Sequence, residues 1–147
     1  MIMLIQRVDS AKVLIENKLH NQIHDGMLVF VGIHKNDTID DVDYLLNKLI
    51  HLRIFNDTNN KMNLSIQDVK GEILIISQFT LLANTKRGLR PSFTNSKKPE
   101  EAKKMYNILL KKLNTTNIMV KSGKFAADMD IQLNNVGPAT FILESNH

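Results

Sequence analysis

The sequence contains no cysteine, and this absence removes several kinds of chemistry at once. Without thiols there is no disulfide framework, no thiolate nucleophile and no cysteine-ligated metal. Such a composition suits a reducing compartment, which predicts a cytoplasmic location. The apolar start of the chain is interrupted by Arg7 and Asp9, well short of the ~20 apolar residues that cross a membrane. We therefore expect it to form a first strand, with no membrane association.

Common catalytic motifs are also missing from the sequence. It has no Gly-x-Ser-x-Gly elbow, no Gly-x-x-x-x-Gly-Lys loop and no Gly-x-Gly-x-x-Gly fingerprint. The histidines stand at positions 20, 24, 34, 51 and 147, and none has the spacing of a metal-ligand motif. The sequence therefore predicts a site without metal or cofactor, built from backbone groups, hydroxyls and an amide.

Positive charge is concentrated in one part of the chain. Residues 86 to 124 contain eleven basic and two acidic residues, a net charge of +9, whereas the remainder carries −5. A distribution of this kind is typical of a protein with a polyanionic partner, and it favours nucleic acid over an anionic membrane. The alternative is a solvated lysine face that keeps the protein in solution.

The hydrophobic pattern predicts a single domain over residues 1–147, of the α+β class, because strands cluster at both ends with two helices between them. A largely antiparallel, barrel-like sheet follows from this order. An amphipathic helix is predicted after Thr38, where Asp41 completes a capping box, and another from Pro99. The predicted strands cover residues 2–16, 18–23, 27–33, 71–76, 118–121, 129–133 and 139–143, and residues 56–60 are predicted to form a loop.

Two short segments interrupt apolar runs with groups that a buried strand does not need for packing. Ser77-Gln78-Phe79-Thr80 follows a strongly apolar strand and offers two hydroxyls, a carboxamide and an aromatic ring. Gly137-Pro138 lies between two of the last predicted strands, where glycine permits close approach and proline fixes the backbone. The two segments together indicate a pocket that handles a carbonyl group. Each one alone is more typical of an ordinary strand end or turn.

Several motifs resemble, in order and spacing, the D-aminoacyl-tRNA deacylase family. The resemblance extends from residue 1 to about residue 145. The motifs that carry it are Ile5-Gln6-Arg7-Val8, Ser77-Gln78-Phe79-Thr80-Leu81, Thr85-Lys86-Arg87-Gly88, Arg90-Pro91-Ser92-Phe93, Phe125-Ala126-Ala127-Asp128-Met129 and Gly137-Pro138.

This resemblance implies a homodimeric, cytoplasmic and metal-independent hydrolase. The family cleaves the ester that joins a D-amino acid, or mischarged glycine, to tRNA. Gly137-Pro138 would be a cis dipeptide that enters the partner subunit's pocket and excludes L-side chains with its carbonyl groups. Because the selective groups are backbone atoms, the resemblance implies a broad range of D-substrates.

The resemblance also implies the catalytic groups. Ser77, Gln78 and Thr80 would form the catalytic segment, and the amides near Phe79 and Thr80 would stabilise the oxyanion. The tRNA 2′-hydroxyl would help to activate water. Thr80 is either a positioning group or a covalent nucleophile, and a nucleophile would need an adjacent base.

Other residues would bind the substrate or support the site. Phe79, Phe125 and Met129 would line the pocket, although each could equally belong to the core. Arg7 would brace the Gly137-Pro138 loop. The phosphates of the acceptor end would be held by Lys86, Arg87 and Arg90.

The chain departs from the family pattern at three positions. Val136 and Asn84 stand where aspartate is usual, and Lys124 replaces an arginine. Val136 puts in doubt any hydrogen bond that an acidic side chain would make within the Gly137-Pro138 loop. Two alternative functions are a nucleic-acid-binding module without catalysis and an esterase for small molecules that needs no tRNA.

Overall fold

The computed structural model describes residues 1–86 and 88–145 of the chain. Its regular elements are β1 (Ile2–Ile15), β2 (Lys18–Ile23), β3 (Gly26–Gly32), α1 (Ile39–His51), β4 (Phe55–Asn56), β5 (Met62–Leu64), β6 (Glu72–Ser77), a 3₁₀ turn (Phe79–Leu82), α2 (Pro99–Leu113), β7 (Met119–Ser122) and β8 (Asp130–Glu144). No helix within the described ranges has the length and apolar character needed to span a membrane.

The main sheet has the strand order β2-β1-β3-β6-β7, and β8 pairs with β1. Strand β1 is antiparallel to β2, β3 and β8, which confirms the α+β class with two helices. The β3–β6 and β6–β7 pairs are parallel. Parallel neighbours need long crossovers, and α1 and α2 supply them.

Side chains join the two ends of this strand order. Asn21 Nδ2 donates to the Ser122 carbonyl at 2.6 Å, and Lys121 Nζ donates to the Gln22 carbonyl at 2.8 Å. These bonds hold β2 against β7 and bring the sheet close to a closed barrel. The predicted barrel-like sheet is therefore confirmed.

The central strands β3 and β6 are buried on both faces, and their alternate residues belong to different cores. Met27, Val29 and Val31 of β3 pack in the same cluster as the buried residues of α1 and α2. Leu28 packs on the opposite face, inside the barrel, where Phe30 also contacts the interior cluster. A strand covered on both faces is expected to be apolar almost throughout, as β3 and β6 are.

Strand β8 differs from the sequence prediction. Residues 129–133 and 139–143 were expected to form separate strands, but β8 is continuous because β1 is long enough to pair with both halves. The β1 register passes from Gln6↔Thr140 to Val8↔Asn135, so residues 136–139 bulge out opposite Arg7 alone. The predicted loop at 56–60 is wrong at Asn56, which belongs to the short β4–β5 hairpin.

The α-ammonium group of Met1 is buried beside Asp37, and both side-chain exposures are 0%. Ser145 Oγ accepts a second hydrogen bond from the ammonium group at 2.6 Å. The other oxygen of Asp37 accepts a hydrogen bond from the His34 amide. One carboxylate therefore joins the chain start to the turn that follows β3.

We predict that Asp37→Ala lowers the free energy of unfolding by about 3–5 kcal/mol, because it leaves a buried charge without its counterion. Urea denaturation provides the measurement. The matched control is Asp43→Ala, which removes the exposed ion pair with Lys112 and should cost less than about 1 kcal/mol. Equal losses in the two variants would contradict this account of the buried pair.

Candidate active site

A cavity of about 620 Å³ lies where β3 and β6 end, between the sheet and the start of α2. Parallel strands bring their carboxyl ends to the same edge of a sheet, and ligand sites in α/β sheets lie outside that edge. The Gln78 amide donates to the Val31 carbonyl at 2.7 Å, and the Lys97 amide donates to the Ile33 carbonyl at 2.9 Å. These backbone bonds fix two walls of the cavity to the end of β3.

The segment after β6 forms one of these walls. Ser77, Gln78 and Phe79 line the cavity, whereas Thr80 is exposed and lies outside its lining. Gln78 Nε2 donates to Thr80 Oγ1 at 2.5 Å. The first hydrogen bond of the 3₁₀ turn is donated by the Leu81 amide to the Gln78 carbonyl, so the Phe79 and Thr80 amides precede it. The amide groups at such an N-terminus have no partner within the turn.

Aromatic rings line two sides of the cavity. Phe79 and Phe93 meet edge to face with ring centroids 4.9 Å apart, and Phe79 is 58% exposed. Phe125, on the other side, packs against the buried Tyr106 ring, with 5.6 Å between the ring centroids. The cavity thus has a half-buried aromatic wall and an exposed aromatic rim, both suited to a planar or apolar group.

The segment 125–131 completes the lining with Phe125, Asp128 and Met129. Three charged residues also belong to the lining: Lys97 and Lys98, which directly precede α2, and Asp128. Sequence reasoning did not assign Phe93, Lys97, Lys98 or Asp128 to the site. Phe93 and Asp128 belong to motifs that carry the family resemblance, and the two lysines directly precede a predicted helix start.

Gly137 and Pro138 lie outside this cavity, on the exposed bulge of β8. Their peptide bond is cis, and Gly137 has φ +126°. Arg7 fills the bulge from inside: Nε donates to the Val136 carbonyl at 3.1 Å and Nη1 donates to the Ile54 carbonyl at 2.7 Å. A Cβ at Gly137 would lie 2.8 Å from Arg7 Nη2. A side chain at this position would therefore force the guanidinium to shift, and the positive φ would strain the backbone in any case.

A loop closed by Asn84 and Ser92 carries the basic residues that were predicted to bind phosphate. The two residues exchange backbone hydrogen bonds of 2.7 and 3.0 Å, and the Asn84 side chain accepts from the Lys86 amide at 3.0 Å. Lys86 and Arg90 are exposed on this loop. Arg87, the third predicted residue, lies outside the described residues. Across residues 1–86 and 88–145, no group of three or more His, Asp or Glu side chains is arranged to hold a metal ion.

Comparison with known proteins identifies the class to which this fold and cavity belong. A family model described as D-Tyr-tRNA(Tyr) deacylase matches residues 4–144. The D-aminoacyl-tRNA deacylase of Finegoldia magna is 50% identical over 145 residues, which cover 99% of this chain and 98% of the relative.

Two solved structures are similar along the whole fold. The c-Myc DNA unwinding element binding protein has a TM-score of 0.95 and 35% identity, with 100% of both chains covered. A probable eukaryotic D-amino acid tRNA deacylase has a TM-score of 0.84, with 98% of both chains covered. At 16% identity, this second likeness shows the fold alone.

The chain belongs to the D-Tyr-tRNA(Tyr) deacylase family. It is an enzyme, a hydrolase of the D-aminoacyl-tRNA deacylase type, and the family acts on aminoacyl-tRNA. The family predicted from the motifs is therefore confirmed. The roles assigned to individual residues stay predictions.

Tyr106 supports the Phe125 wall, and its phenol donates to the Ile75 carbonyl at 3.0 Å. Burial raises the pKa of the Tyr106 phenol, so the neutral form is favoured in the folded state. The neutral Tyr106 phenol therefore contributes to the free energy of unfolding. This contribution is fully present below the pKa of an unfolded tyrosine, near 10, and is lost as pH rises above that value.

We predict that Tyr106→Phe reduces the loss of stability between about pH 9 and 11, measured by urea denaturation at each pH. At neutral pH the substitution should cost only about 1 kcal/mol, the net value of one hydrogen bond, because the Ile75 carbonyl keeps its bond from the Gly123 amide. The exposed Tyr44 supplies the control. A Tyr44→Phe variant with the same pH profile as Tyr106→Phe would contradict this assignment.

Proposed function

We propose that this enzyme hydrolyses the ester of D-aminoacyl-tRNA, and of glycine mischarged on tRNA, releasing the free amino acid and the tRNA. The observation that carries the proposal is the cavity where β3 and β6 end, lined by the Ser77-Gln78-Phe79 segment that the family motif contains. The cavity combines a carboxamide and a hydroxyl with aromatic walls. We expect the reaction to take place in the cytoplasm.

The proposed working unit is a homodimer. Gly137 and Pro138 are exposed and do not line the cavity of their own subunit. In our proposal this dipeptide enters the cavity of the partner subunit, so that each site combines residues of both chains. The exposed position of the bulge and the rigid support from Arg7 favour this arrangement.

Selectivity then comes from exclusion by backbone atoms. The carbonyl oxygens of Gly137 and Pro138 would accept hydrogen bonds from the substrate ammonium group and occupy the space into which an L-side chain projects. D-residues and glycine leave that space empty. A site that discriminates by steric conflict does not need to recognise the accepted side chain, which agrees with a broad range of D-substrates.

Catalysis in this proposal depends on positioning and on the substrate. The amides of Phe79 and Thr80 would stabilise the oxyanion, and the 2′-hydroxyl of the terminal ribose would help to activate the attacking water. Ser77 and Gln78 would position the ester, with Phe79, Phe125 and Met129 around the substrate. Thr80 acts as a positioning group, because its described partner is the Gln78 carboxamide, which is not a base.

The exposed loop around Lys86 and Arg90 would bind phosphates of the acceptor end, together with Arg87. Phosphate contacts add affinity without reading sequence, so this contribution would not depend on the sequence of the tRNA.

A nucleic-acid-binding module without catalysis is the second candidate function. It is favoured by the name of one similar structure, the c-Myc DNA unwinding element binding protein, and by the basic loop. Such a module would bind tRNA or DNA and release no amino acid.

We predict that, with a chelator present, the chain releases tyrosine rapidly from D-tyrosyl-tRNA and only at a low residual rate from L-tyrosyl-tRNA. Thr80→Ala should retain activity within about tenfold, whereas loss of a covalent nucleophile costs on the order of 10⁶-fold. Gly137→Ala should lose selectivity or activity, because its Cβ would meet Arg7 and its positive φ disfavours a side chain.

The same assay separates the alternatives. Binding of tRNA without release of either amino acid would favour the module. Equal activity on a substrate that ends in 2′-deoxyadenosine would contradict the role of the 2′-hydroxyl, and an esterase for small molecules would need no tRNA at all.

We predict that Lys86→Ala/Arg90→Ala raises KM for D-tyrosyl-tRNA and leaves kcat nearly unchanged. Each lost phosphate contact should reduce the slope of log affinity against log salt concentration by roughly 0.7 to 0.9, measured by titration at several salt concentrations. Lys18→Ala/Lys70→Ala, which removes two exposed charges outside residues 86–124, is the control. A control variant with the same change in slope would mean that general charge, and not this loop, determines binding.

A further inference from the structure

One side chain closes the base of the bulge formed by residues 136–139. Asn135 Oδ1 accepts a hydrogen bond from the Ala139 amide at 3.0 Å, and Asn135 Nδ2 donates to Thr140 Oγ1 at 2.8 Å. Thr140 Oγ1 also accepts from Gln6 Nε2 of the neighbouring strand at 3.3 Å. A single carboxamide therefore spans the bulge and ties its far end to β1.

The side chain of Val136, which directly precedes Gly137, cannot close the bulge in this way. Val136 has an aliphatic side chain, 37% exposed, which can neither donate nor accept a hydrogen bond. It contributes through its carbonyl oxygen, which accepts from Arg7 Nε at 3.1 Å. Arg7 thus fixes the first half of the bulge, and Asn135 fixes the second half.

The Ala139 amide is buried and depends on Asn135 for its hydrogen bond. Ala139 is only 4% exposed, so its N–H group has little access to water. A buried donor that loses its partner carries a desolvation penalty, and the backbone would shift to find another acceptor. That shift would begin at the residue after Pro138 and move the dipeptide.

We propose that Asn135 is a positioning residue that sets the direction of the Gly137 and Pro138 carbonyl groups and thereby the discrimination between D- and L-substrates. The inference rests on the proposed function, in which these carbonyls exclude the L-side chain. Exclusion by contact depends on position to a fraction of an ångström, and a displacement of about 1 Å can change a rate by about 10²-fold.

The neighbouring residues provide a matched set of variants. Asn135→Ala removes both hydrogen bonds, whereas Asn135→Asp retains an acceptor for the Ala139 amide and can accept from the Thr140 hydroxyl. Asn134→Ala removes an adjacent carboxamide that donates to Asp9 Oδ2 at 2.7 Å, outside the bulge. Together these variants distinguish the loss of the two Asn135 hydrogen bonds from the general loss of a surface amide.

The test compares kcat/KM on D- and L-tyrosyl-tRNA for the unaltered enzyme and each variant. We expect Asn135→Ala to reduce the D-to-L ratio by about tenfold or more, Asn135→Asp to restore most of it, and Asn134→Ala to leave it unchanged. Simple destabilisation would lower both rates together and leave the ratio constant. If Asn135→Ala folds poorly, Thr140→Val removes one of the two bonds and should lower the ratio in the same direction.

Hydrogen exchange of the Ala139 amide reports on its hydrogen bond to Asn135 independently of catalysis. We expect exchange to be faster in Asn135→Ala and slow again in Asn135→Asp. A folded Asn135→Ala with an unchanged D-to-L ratio would overturn the inference and leave the proposed function standing. An unaltered enzyme that hydrolyses neither ester would instead overturn the proposed function, and the discrimination role of Asn135 with it.

Discussion

The hydrogen bonding of β1 along both of its edges is the constraint on which the rest of the structure depends. One edge pairs with β8 over nearly the whole strand, and the other pairs first with β3 and then with β2. The two long strands are therefore held in register on both sides of Arg7. Only against such a fixed background can a bulge of four residues project in a defined direction.

We assign the two parts of the proposed function to two different regions of this framework. The cavity where β3 and β6 end carries the hydroxyl, the carboxamide and the aromatic rings, and the bulge of β8 carries the backbone groups to which we assign selectivity. In our proposal both act through backbone geometry more than through reactive side chains. The sequence accordingly has no cysteine, no metal-ligand spacing of histidines and no nucleotide-binding loop motif.

Local patterns predicted the elements that depend on local physics. The capping residues and apolar stripes indicated α1 and α2, and the continuous apolar runs indicated β3 and β6. Pairing between distant segments was less accessible, because no local pattern states that β3 and β6 are parallel or that β8 continues across its bulge. The same limit applies to the site. Phe79 and Phe125 are brought to one cavity by tertiary structure, and the resemblance to a family, not the local pattern, placed them together.

The interior of the barrel is filled by its own side chains, among them Val13, Leu28 and Leu74, each with 0% exposure. A packed interior contributes to folding and leaves little space for a ligand among these side chains, whereas the cavity described above opens where β3 and β6 end. The cavity wall itself includes the buried core residues Val31, Ile33 and Ile76, so mutations there change stability and binding together. In evolutionary terms, variation at little cost in stability is therefore open mainly to exposed residues at the rim, such as Phe79.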